Sequence, residues 1–512
     1  MTYSLATLKT DLRSHWWILA AFAVPLVVRS IPEVLSGPYP LGLDTLRYIS
    51  LVDQRWVFSL TPLAFLKTTG LFYALAALPY NLTGDASFVI KTLGPILLSA
   101  LSVMMYLYAR KGLQWSNATS LLVSVLVSTY FVSLRISWDL YRQTLGLVFL
   151  MAVLILLKST QSPRRYPAIG LLMILTVLTQ QLAAVVMFFI VGLQALGFLW
   201  RRRGKDFAWL ATLTSLSGSV FVFQQYSLQL GTFVIPVMNV APEPSVALAA
   251  HVGGLIVYCY VLILPLVFLG LKSLKDPSLK YWTILCAAIP LLTVLWPSSS
   301  FSYWNRWVYL LVYPLLFCTA YGLERLWKSW STVKNRLRRL LPKAFALTYL
   351  SFLLVLSGCY IATTPENSFP YFSQYNPYLT YIPSSMLQTT VSSADAPSLV
   401  ECIGWLNANS NGNSAIVAHY ALYDWIHTYS DGEHLVLVQD GPFMWTPTQN
   451  ESELADRMVT AAREALTDGF SQVYTVWWVD GEGWYQIPSL PSCFKEVDSS
   501  GRMAVYVYVP EA

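Results

Sequence analysis

Eleven apolar runs dominate the sequence and constrain the fold more than any other feature. They lie at roughly 15–32, 90–109, 117–134, 143–158, 167–179, 183–200, 207–224, 246–270, 281–296, 307–325 and 344–362. Apart from the shorter run at 167–179, each is long enough to cross about 30 Å of hydrocarbon. Only 12% of the residues are charged, against about a quarter in soluble domains. The sequence predicts a polytopic α-helical membrane protein with about eleven transmembrane helices.

Two apolar segments need a separate interpretation. The run at 15–32 is followed by no small-residue cleavage site, so we expect it to remain as the first span. The stretch 58–80 is also apolar but carries Pro62, Lys67, Gly70 and Pro79. We interpret it as an interfacial helix in the first outer loop, about 33–87, rather than as a span.

The basic residues predict the orientation of the chain. With a cytoplasmic N-terminus, twenty-one of the 33 Lys and Arg fall in inner segments and four in the C-terminal tail. The outer face of the membrane region holds only Arg29, Arg47, Arg55, Lys67, Lys91, Arg135, Arg142 and Arg306. This bias follows the positive-inside rule. The net charge of +6 therefore reflects membrane orientation, and we expect no nucleic-acid partner.

The tail beyond residue 396 has a different pattern. Helices are predicted at 398–408, 420–428 and 451–466, and strands at 414–418, 434–439, 472–479 and 503–509. This alternation predicts a small extracytoplasmic α/β domain, 397–512. The Pro-, Tyr- and Ser-rich segment 363–396 is predicted to be a connector or lid, after a transmembrane domain at 1–362. Cys402 and Cys493 share this tail, which allows one disulfide outside the cytoplasm.

Several known chemistries are disfavoured. The sequence has no P-loop, no Rossmann glycine set after a strand and no GxSxG motif, so a nucleotide-dependent enzyme is disfavoured. The Cys and His residues show no metal-ligand spacing. The inner loops are short and basic, so we expect any chemistry at the outer face.

The stretch from Gly42 to Tyr48 follows the first span and contains the first acid of the outer loop. A helix starting at Asp44 would place Asp44, Arg47 and Tyr48 on one face, because their spacing is i, i+3 and i+4. Asp44 could alternatively be a helix N-cap with Arg47 as its partner. The position just after a span favours a functional role, but the residues leave both interpretations open.

Three further polar groups fall at predicted outer ends of spans. Asp139 and Arg142, with Arg135 nearby, form either a site or an ion pair that closes a hairpin. Arg306, between Trp304 and Trp307, is either an interfacial anchor or a ligand for a lipid phosphate. Gln180 and Gln181 interrupt an apolar run, so they either contact sugar hydroxyls or form a polar turn.

Together these features resemble the GT-C glycosyltransferases, which take a sugar from a polyprenyl carrier. The resemblance rests on Gly42-Leu43-Asp44 after the first span, the long first outer loop, Asp139-Leu140-Tyr141-Arg142, Asn305-Arg306-Trp307 and an outer C-terminal domain. The chain looks most like archaeal or bacterial mannosyltransferase-like members. Trp477-Trp478-Val479-Asp480 resembles the Trp-Trp-Asp motif of oligosaccharyltransferases, but one residue splits the match and a strand end explains it more simply.

The resemblance implies a polyprenyl- or dolichol-phosphate sugar as donor and a glycan, lipid or protein as acceptor. Asp44 would act as general base or help to hold a divalent cation, Mg or Mn, and the missing neighbouring acid favours the base. Arg306 would neutralise the leaving phosphate, assisted by Arg142 or Arg47. The implied function is an inverting membrane glycosyltransferase of the cell envelope. The alternatives are a transporter or flippase of a lipid-linked substrate and a non-catalytic scaffold.

Overall fold

A computed structural model describes most of the chain. The described residues are 5–42, 44–158, 165–226, 245–296, 304–329, 336–362, 391–410, 412–431, 434–438, 451–481 and 489–510. Most of the predicted connector, residues 363–390, lies outside these ranges. Contacts between residues divide the chain into two compact units. The first unit contains the chain up to Pro32 and Arg55–Ile361, and the second contains Glu33–Gln54 and the chain from Ala362 onward.

Helices make up most of the described chain, and a single sheet is confined to the second unit. In chain order the helices are α1 (Leu5–Leu35), α2 (Thr45–Asp53), α3 (Pro62–Leu66), α4 (Leu71–Thr83), α5 (Ala86–Leu107), α6 (Asn117–Thr129), α7 (Phe131–Asp139), α8 (Tyr141–Lys158), α9 (Arg165–Thr179), α10 (Gln181–Trp200), α11 (Gly204–Tyr226), α12 (Ser245–Tyr260), α13 (Leu264–Gly270), α14 (Pro277–Leu295), α15 (Trp304–Leu310), α16 (Val312–Ser329), α17 (Arg336–Ala362), α18 (Ala396–Asn409), α19 (Tyr420–Tyr429) and α20 (Glu451–Thr467). The strands are β1 (Ser414–His419), β2 (His434–Val438), β3 (Gln472–Trp478), β4 (Phe494–Ser500) and β5 (Met503–Tyr508).

Membrane-spanning length and apolar composition are found in seven helical segments of the described chain. These are His15–Leu35, Ala86–Gly112, Tyr141–Lys158, Gln181–Trp200, Gly204–Gln225, Pro277–Leu295 and Trp304–Lys328. The pairs α6–α7 and α12–α13 bring the number to nine if each bent pair is one span. The predicted spans at 167–179 and 344–362 coincide with shorter apolar helices, Arg165–Thr179 and Lys343–Leu356. The chain is therefore a polytopic membrane protein, with seven to nine full-length spans in the described residues where the sequence predicted about eleven.

The two bent pairs correct the expectation of continuous helices at 117–134 and 246–270. The pair α6–α7 bends by 61° at Tyr130, whose backbone is extended. The hydroxyl of Ser133 donates to the carbonyl oxygens of Val127 and Tyr130, at 2.5 and 2.9 Å, which satisfies groups that the break releases. The pair α12–α13 bends by 77°, and Pro265 in the first turn of α13 prevents a continuous helix.

The segment predicted to be interfacial forms two short helices, α3 and α4. The longer one, α4, has 13 residues, and at 1.5 Å per residue it is about 20 Å long, too short to cross the hydrocarbon core. Leu78 and Leu82 on α4 are 61% and 89% exposed, which suits a helix whose apolar face meets lipid. On its other face α4 packs against α5, α8 and α9 of the first unit.

The second unit is built on a five-stranded sheet with the order β2-β1-β3-β5-β4. Strand β1 is parallel to β2 and β3, while β5 is antiparallel to β3 and to β4. The helices and strands predicted from the sequence lie within a few residues of these elements, but β4 was missed. Its sequence, Phe-Lys-Glu-Val-Asp-Ser-Ser, is mostly polar and largely exposed because β4 is an edge strand. A bulge between Glu496 and Asp498 also interrupts its alternation.

The division of the chain differs from the sequence-based division in one segment. Glu33–Gln54 was assigned to the outer loop of the transmembrane domain, but it clusters with the C-terminal unit. The reason is helix α2, whose Leu46 is 2% exposed and belongs to the same apolar core as Leu422 and Trp425 of α19. The apolar face of α2 is therefore buried in the second unit.

The cysteines of the second unit are separate thiols. Cys402 on α18 and Cys493 before β4 are both buried, and neither is in a disulfide. Burial is the main reason that the pKa of the Cys402 thiol rises to about 11. A disulfide between them, which the sequence left open, is not formed in this structure.

Candidate functional site

The turn that contains Asp44 is the first part of the site. Asp44 directly precedes α2, and its backbone has φ −85° and ψ −4°. Its side chain makes no capping hydrogen bond to α2, so the N-cap alternative is not realised. Arg47 is exposed, whereas Tyr48 is 2% exposed and packs in the interior. Asp44 and Arg47 therefore remain accessible, and Tyr48 anchors the helix that carries them.

A second acid, Asp424, lies beside this turn. It belongs to α19, which packs against α2 in the second unit. The Thr428 hydroxyl donates to the backbone oxygens of Leu46 and Asp424, at 3.4 and 2.7 Å, and so links the two helices. Burial, and then the negative charge of Asp44, raise the pKa of the Asp424 carboxyl to about 6, while the positive charge of Arg47 acts in the opposite direction. Asp44, Arg47 and Asp424 form one electrostatic cluster, which we call the carboxylate pair site.

Asp424 was missed in the sequence because nothing in its neighbourhood suggests a site. Its helix has the sequence Tyr-Ala-Leu-Tyr-Asp-Trp-Ile-His-Thr-Tyr, in which Asp424 is the only acid. The interaction of its charge with that of Asp44 joins positions 380 residues apart, which no local pattern records. The expectation that Asp44 has no neighbouring acid was therefore wrong.

The polar residues at the α7–α8 junction form a buried group in the first unit. Arg135 and Asp139 form an ion pair at 2.6 Å, and both side chains are almost fully buried. The helix breaks at Leu140, so Arg142 belongs to α8 and does not share a helix face with Asp139. Arg142 donates to the Thr69 hydroxyl at 2.9 Å. The structure thus contains an ion pair of Asp139 with Arg135 within α7 and places Arg142 on the next helix.

Arg29, at the end of the first apolar run, is a buried cation of this junction that the sequence did not single out. Its guanidinium donates to the carbonyl oxygen of Ser137 at 3.3 and 3.4 Å and to the Tyr141 hydroxyl at 3.5 Å. It also lies 5.0 Å from the centre of the Trp138 ring. An Arg near a span end is usually interpreted as an interfacial anchor, but this one is fully buried and binds the C-terminal part of α7.

The glutamines also lie near the start of α8. Gln180 sits in the break between α9 and α10, and its side-chain oxygen accepts from Leu182 N at 2.8 Å, which supports the polar-turn alternative. A Cβ added to Gly146 of α8 would lie 3.1 Å from the Gln180 Cβ, so the two segments are in close contact. Gln181 is buried. Gln143, also buried, has an amide that finds no hydrogen-bond partner among the described residues.

Arg306 is partly exposed on the short helix α15, between the buried side chains of Asn305 and Trp307. Helix α15 packs against α7. The first unit thus collects Asp139, Arg142, Gln180, Gln181 and Arg306 on neighbouring helices around α7 and α8. Asp44, Arg47 and Tyr48 belong to the second unit together with Asp424.

A bound cation is the remaining element of the expected site. Among the residues that the structure describes, no three or more His, Cys, Asp and Glu side chains come together in a way that could hold a metal ion. The carboxylate pair site offers two carboxylates, with the positive charge of Arg47 beside them. We therefore derive no step through a metal.

Comparison with known proteins gives little beyond this architecture. No protein-family model matches the sequence, and no curated protein is similar to it at a significant level. One solved structure that resembles the chain is the arabinofuranosyltransferase AftD from mycobacteria, with a TM-score of 0.49 and 13% sequence identity. The alignment covers 97% of this chain but only 40% of that protein, so the chain spans less than half of AftD's length.

Proposed function

We propose that the protein is a membrane glycosyltransferase that moves a sugar from a polyprenyl-phosphate donor to an acceptor at the outer face of the cell membrane. The observation that carries the proposal is the carboxylate pair site. There the Asp44 side chain makes no capping hydrogen bond to α2, and a second acid, Asp424, lies beside it. Two carboxyl groups in environments that differ are a common basis for acid–base chemistry. The acceptor is a hydroxyl of a glycan, lipid or protein.

The proposed reaction is a single displacement. Asp44 accepts the proton of the acceptor hydroxyl, whose oxygen attacks the anomeric carbon from the face opposite the phosphate. The new glycosidic bond forms as the bond to the phosphate oxygen breaks, so the configuration inverts and the polyprenyl phosphate leaves as an anion. Arg306 stabilises the negative charge of the leaving phosphate, and Arg142 or Arg47 assists.

The polar groups of the first unit support a role in binding. Asp139, Gln180 and Gln181 lie beside helix breaks, which at membrane depth are tolerated where they line a cavity or are buried in protein. The amide of Gln143 offers an unused donor and acceptor of the kind that sugar hydroxyls satisfy. We assign Gln143 and Gln181 to substrate binding. Asp139, Gln180 and Tyr48 have supporting roles, because the ion pair of Asp139, the hydrogen bond of Gln180 and the burial of Tyr48 fix the segments that carry them.

The orientation is part of the proposal. The distribution of Lys and Arg favours a cytoplasmic N-terminus and an extracytoplasmic C-terminal unit. Protease added to intact cells is expected to cleave the C-terminal unit. Cleavage only after permeabilisation would reverse the orientation and move the site to the cytoplasmic side.

A transporter or flippase for a lipid-linked substrate is the second candidate, because broken helices such as α6–α7 and α12–α13 are also a feature of transporters. Proteoliposomes that contain a labelled polyprenyl-phosphate sugar separate the two. Release of polyprenyl phosphate and labelling of the acceptor indicate transfer. Movement of the intact donor between leaflets, without release of the sugar, indicates transport.

The catalytic assignment is tested in the same proteoliposomes by Asp44→Asn. We expect the rate of transfer to fall by about 10²- to 10⁴-fold, the usual contribution of a general base. Asp53→Asn, an exposed acid at the other end of α2, is the matched control and should retain the wild-type rate. Full activity of Asp44→Asn would show that Asp44 is not the base.

A further inference from the structure

Helix α19 presents two different faces within the second unit. Ala421, Leu422, Trp425 and Ile426 are buried in the apolar core that covers the sheet. Asp424 and Thr428 are four residues apart and share another face of the helix. Since the Thr428 hydroxyl donates to the carbonyl oxygen of Leu46, this second face lies against α2.

The Asp424 carboxylate is unusual for a half-buried acid. Among the described residues, no hydrogen bond or ion pair reaches its side chain; its backbone oxygen accepts from Thr428. Buried carboxylates are normally paired or hydrogen-bonded, because removing them from water without compensation costs free energy. A neutral residue at this position would stabilise the contact between α19 and α2. The acid is therefore not explained by packing.

The charges around Asp424 indicate what it does. The positive charge of Arg47 acts on Asp424, although Arg47 is three residues after Asp44 on α2 and is the expected partner of Asp44. An ion pair with Arg47 would occupy the Asp44 carboxylate oxygens that must reach the acceptor hydroxyl. A second carboxylate on α19 competes for Arg47, and its negative charge repels that of Asp44.

We propose that Asp424 is a positioning residue for Asp44: it shares the charge of Arg47 and thereby leaves the Asp44 carboxylate available to the acceptor hydroxyl. The C-terminal α/β unit is then part of the catalytic machinery, since one of its helices carries Asp424 and holds α2. This inference rests on the proposed transferase function and adds a residue that sequence patterns did not indicate.

The experiment compares Asp424→Asn, Asp424→Glu and the control Asp468→Asn in the full-length protein in proteoliposomes. Asp468 is an exposed acid after α20, remote in sequence from both α2 and α19. For Asp424→Asn we expect kcat to fall by about tenfold to a hundredfold, the size of effect that misplacement of a reacting group produces. The KM for the donor should stay unchanged, because a positioning residue acts through Asp44 and not on the donor. Asp424→Glu should recover most of the lost kcat, and Asp468→Asn should match the wild type.

The outcomes separate this inference from the proposed function. If Asp44→Asn abolishes transfer while Asp424→Asn keeps the wild-type kcat, the positioning role is wrong and the transferase stands. If Asp44→Asn is fully active, the proposed base itself is wrong. If Asp424→Asn and Asp424→Glu are equally inactive and both melt at a lower temperature than the wild type, Asp424 serves only the fold, and the inference is overturned.

Discussion

Gly322 of α16 lies directly against the backbone of Leu266 of α13. A Cβ added at Gly322 would lie 2.1 Å from the Leu266 carbonyl oxygen, closer than any real contact. The same crossing brings Gly270 against Cys318, where an added Cβ would lie 1.8 Å from the Cys318 carbonyl oxygen. Two helices approach this closely in a membrane protein only where small residues face each other.

Gly322→Ala is therefore expected to destabilise the first unit strongly. The clashing atom belongs to the backbone, which cannot move aside as the tip of a side chain can. We therefore expect the free energy of unfolding to fall by about 3 kcal/mol, the upper part of the range for overpacked cores. The measurement is the melting temperature of the detergent-solubilised protein. Gly253→Ala in α12 is the matched control, because a Cβ there meets no atom within 4 Å. Equal melting temperatures for the two variants would contradict the close crossing.

Asp424 should make the stability of the second unit depend on pH. Its pKa is raised to about 6 in the folded protein, chiefly by burial and then by Asp44, with Arg47 opposing. The folded state therefore holds this proton more tightly than the unfolded state, and stability falls as the pH rises from about 4 to about 6. Above that range the ionised Asp424 carboxylate lowers the free energy of unfolding by at most about 3 kcal/mol.

Asp424→Asn removes this cost. We expect the variant to melt at a higher temperature than the wild type at pH 7.5, and the difference to shrink to near zero at about pH 3, where Asp424 is protonated in both states. Thermal unfolding at a series of pH values measures this. Asp468→Asn, at an exposed position, should show no such pH-dependent gain. A gain that is the same at every pH would mean that the Asp424 charge is not responsible.

The sequence predicted the elements of this fold far better than their contacts. The apolar runs were found because each must cover a span with residues that lipid tolerates, and each run coincides with a helix or a pair of successive helices of the structure. The bend at Tyr130 was not predicted, because Ser133 compensates it through hydrogen bonds that no hydropathy pattern records. Within the site, Asp44 could be singled out by its place after a span. Asp424 could not, since its significance comes only from the packing of α19 on α2.

The buried pair of Arg135 and Asp139 gives a test of the α7–α8 junction. Asp139→Asn removes the ion pair and should destabilise the protein by about 3 to 5 kcal/mol, the cost of breaking a buried pair. The double variant Arg135→Met with Asp139→Leu should be less destabilised than Asp139→Asn, because both charges are gone. Melting temperatures in detergent decide this. If the double variant is the less stable one, the pair contributes net stability and the desolvation argument is wrong.

Arg306 is tested by a comparison of Arg306→Lys with Arg306→Ala in donor-binding and transfer assays. A planar guanidinium can donate two parallel hydrogen bonds to a phosphate, whereas an ammonium group supplies only a point charge. We therefore expect the lysine variant to keep part of the transfer rate and the alanine variant to lose about 10²-fold or more, as when one donor to a developing anion is removed. Arg201→Ala, at an exposed position after α10, controls for the loss of a basic residue near a span end. If Arg306→Ala transfers sugar as fast as Arg201→Ala, Arg306 is an interfacial anchor between Trp304 and Trp307, and the leaving phosphate must be stabilised by another cation.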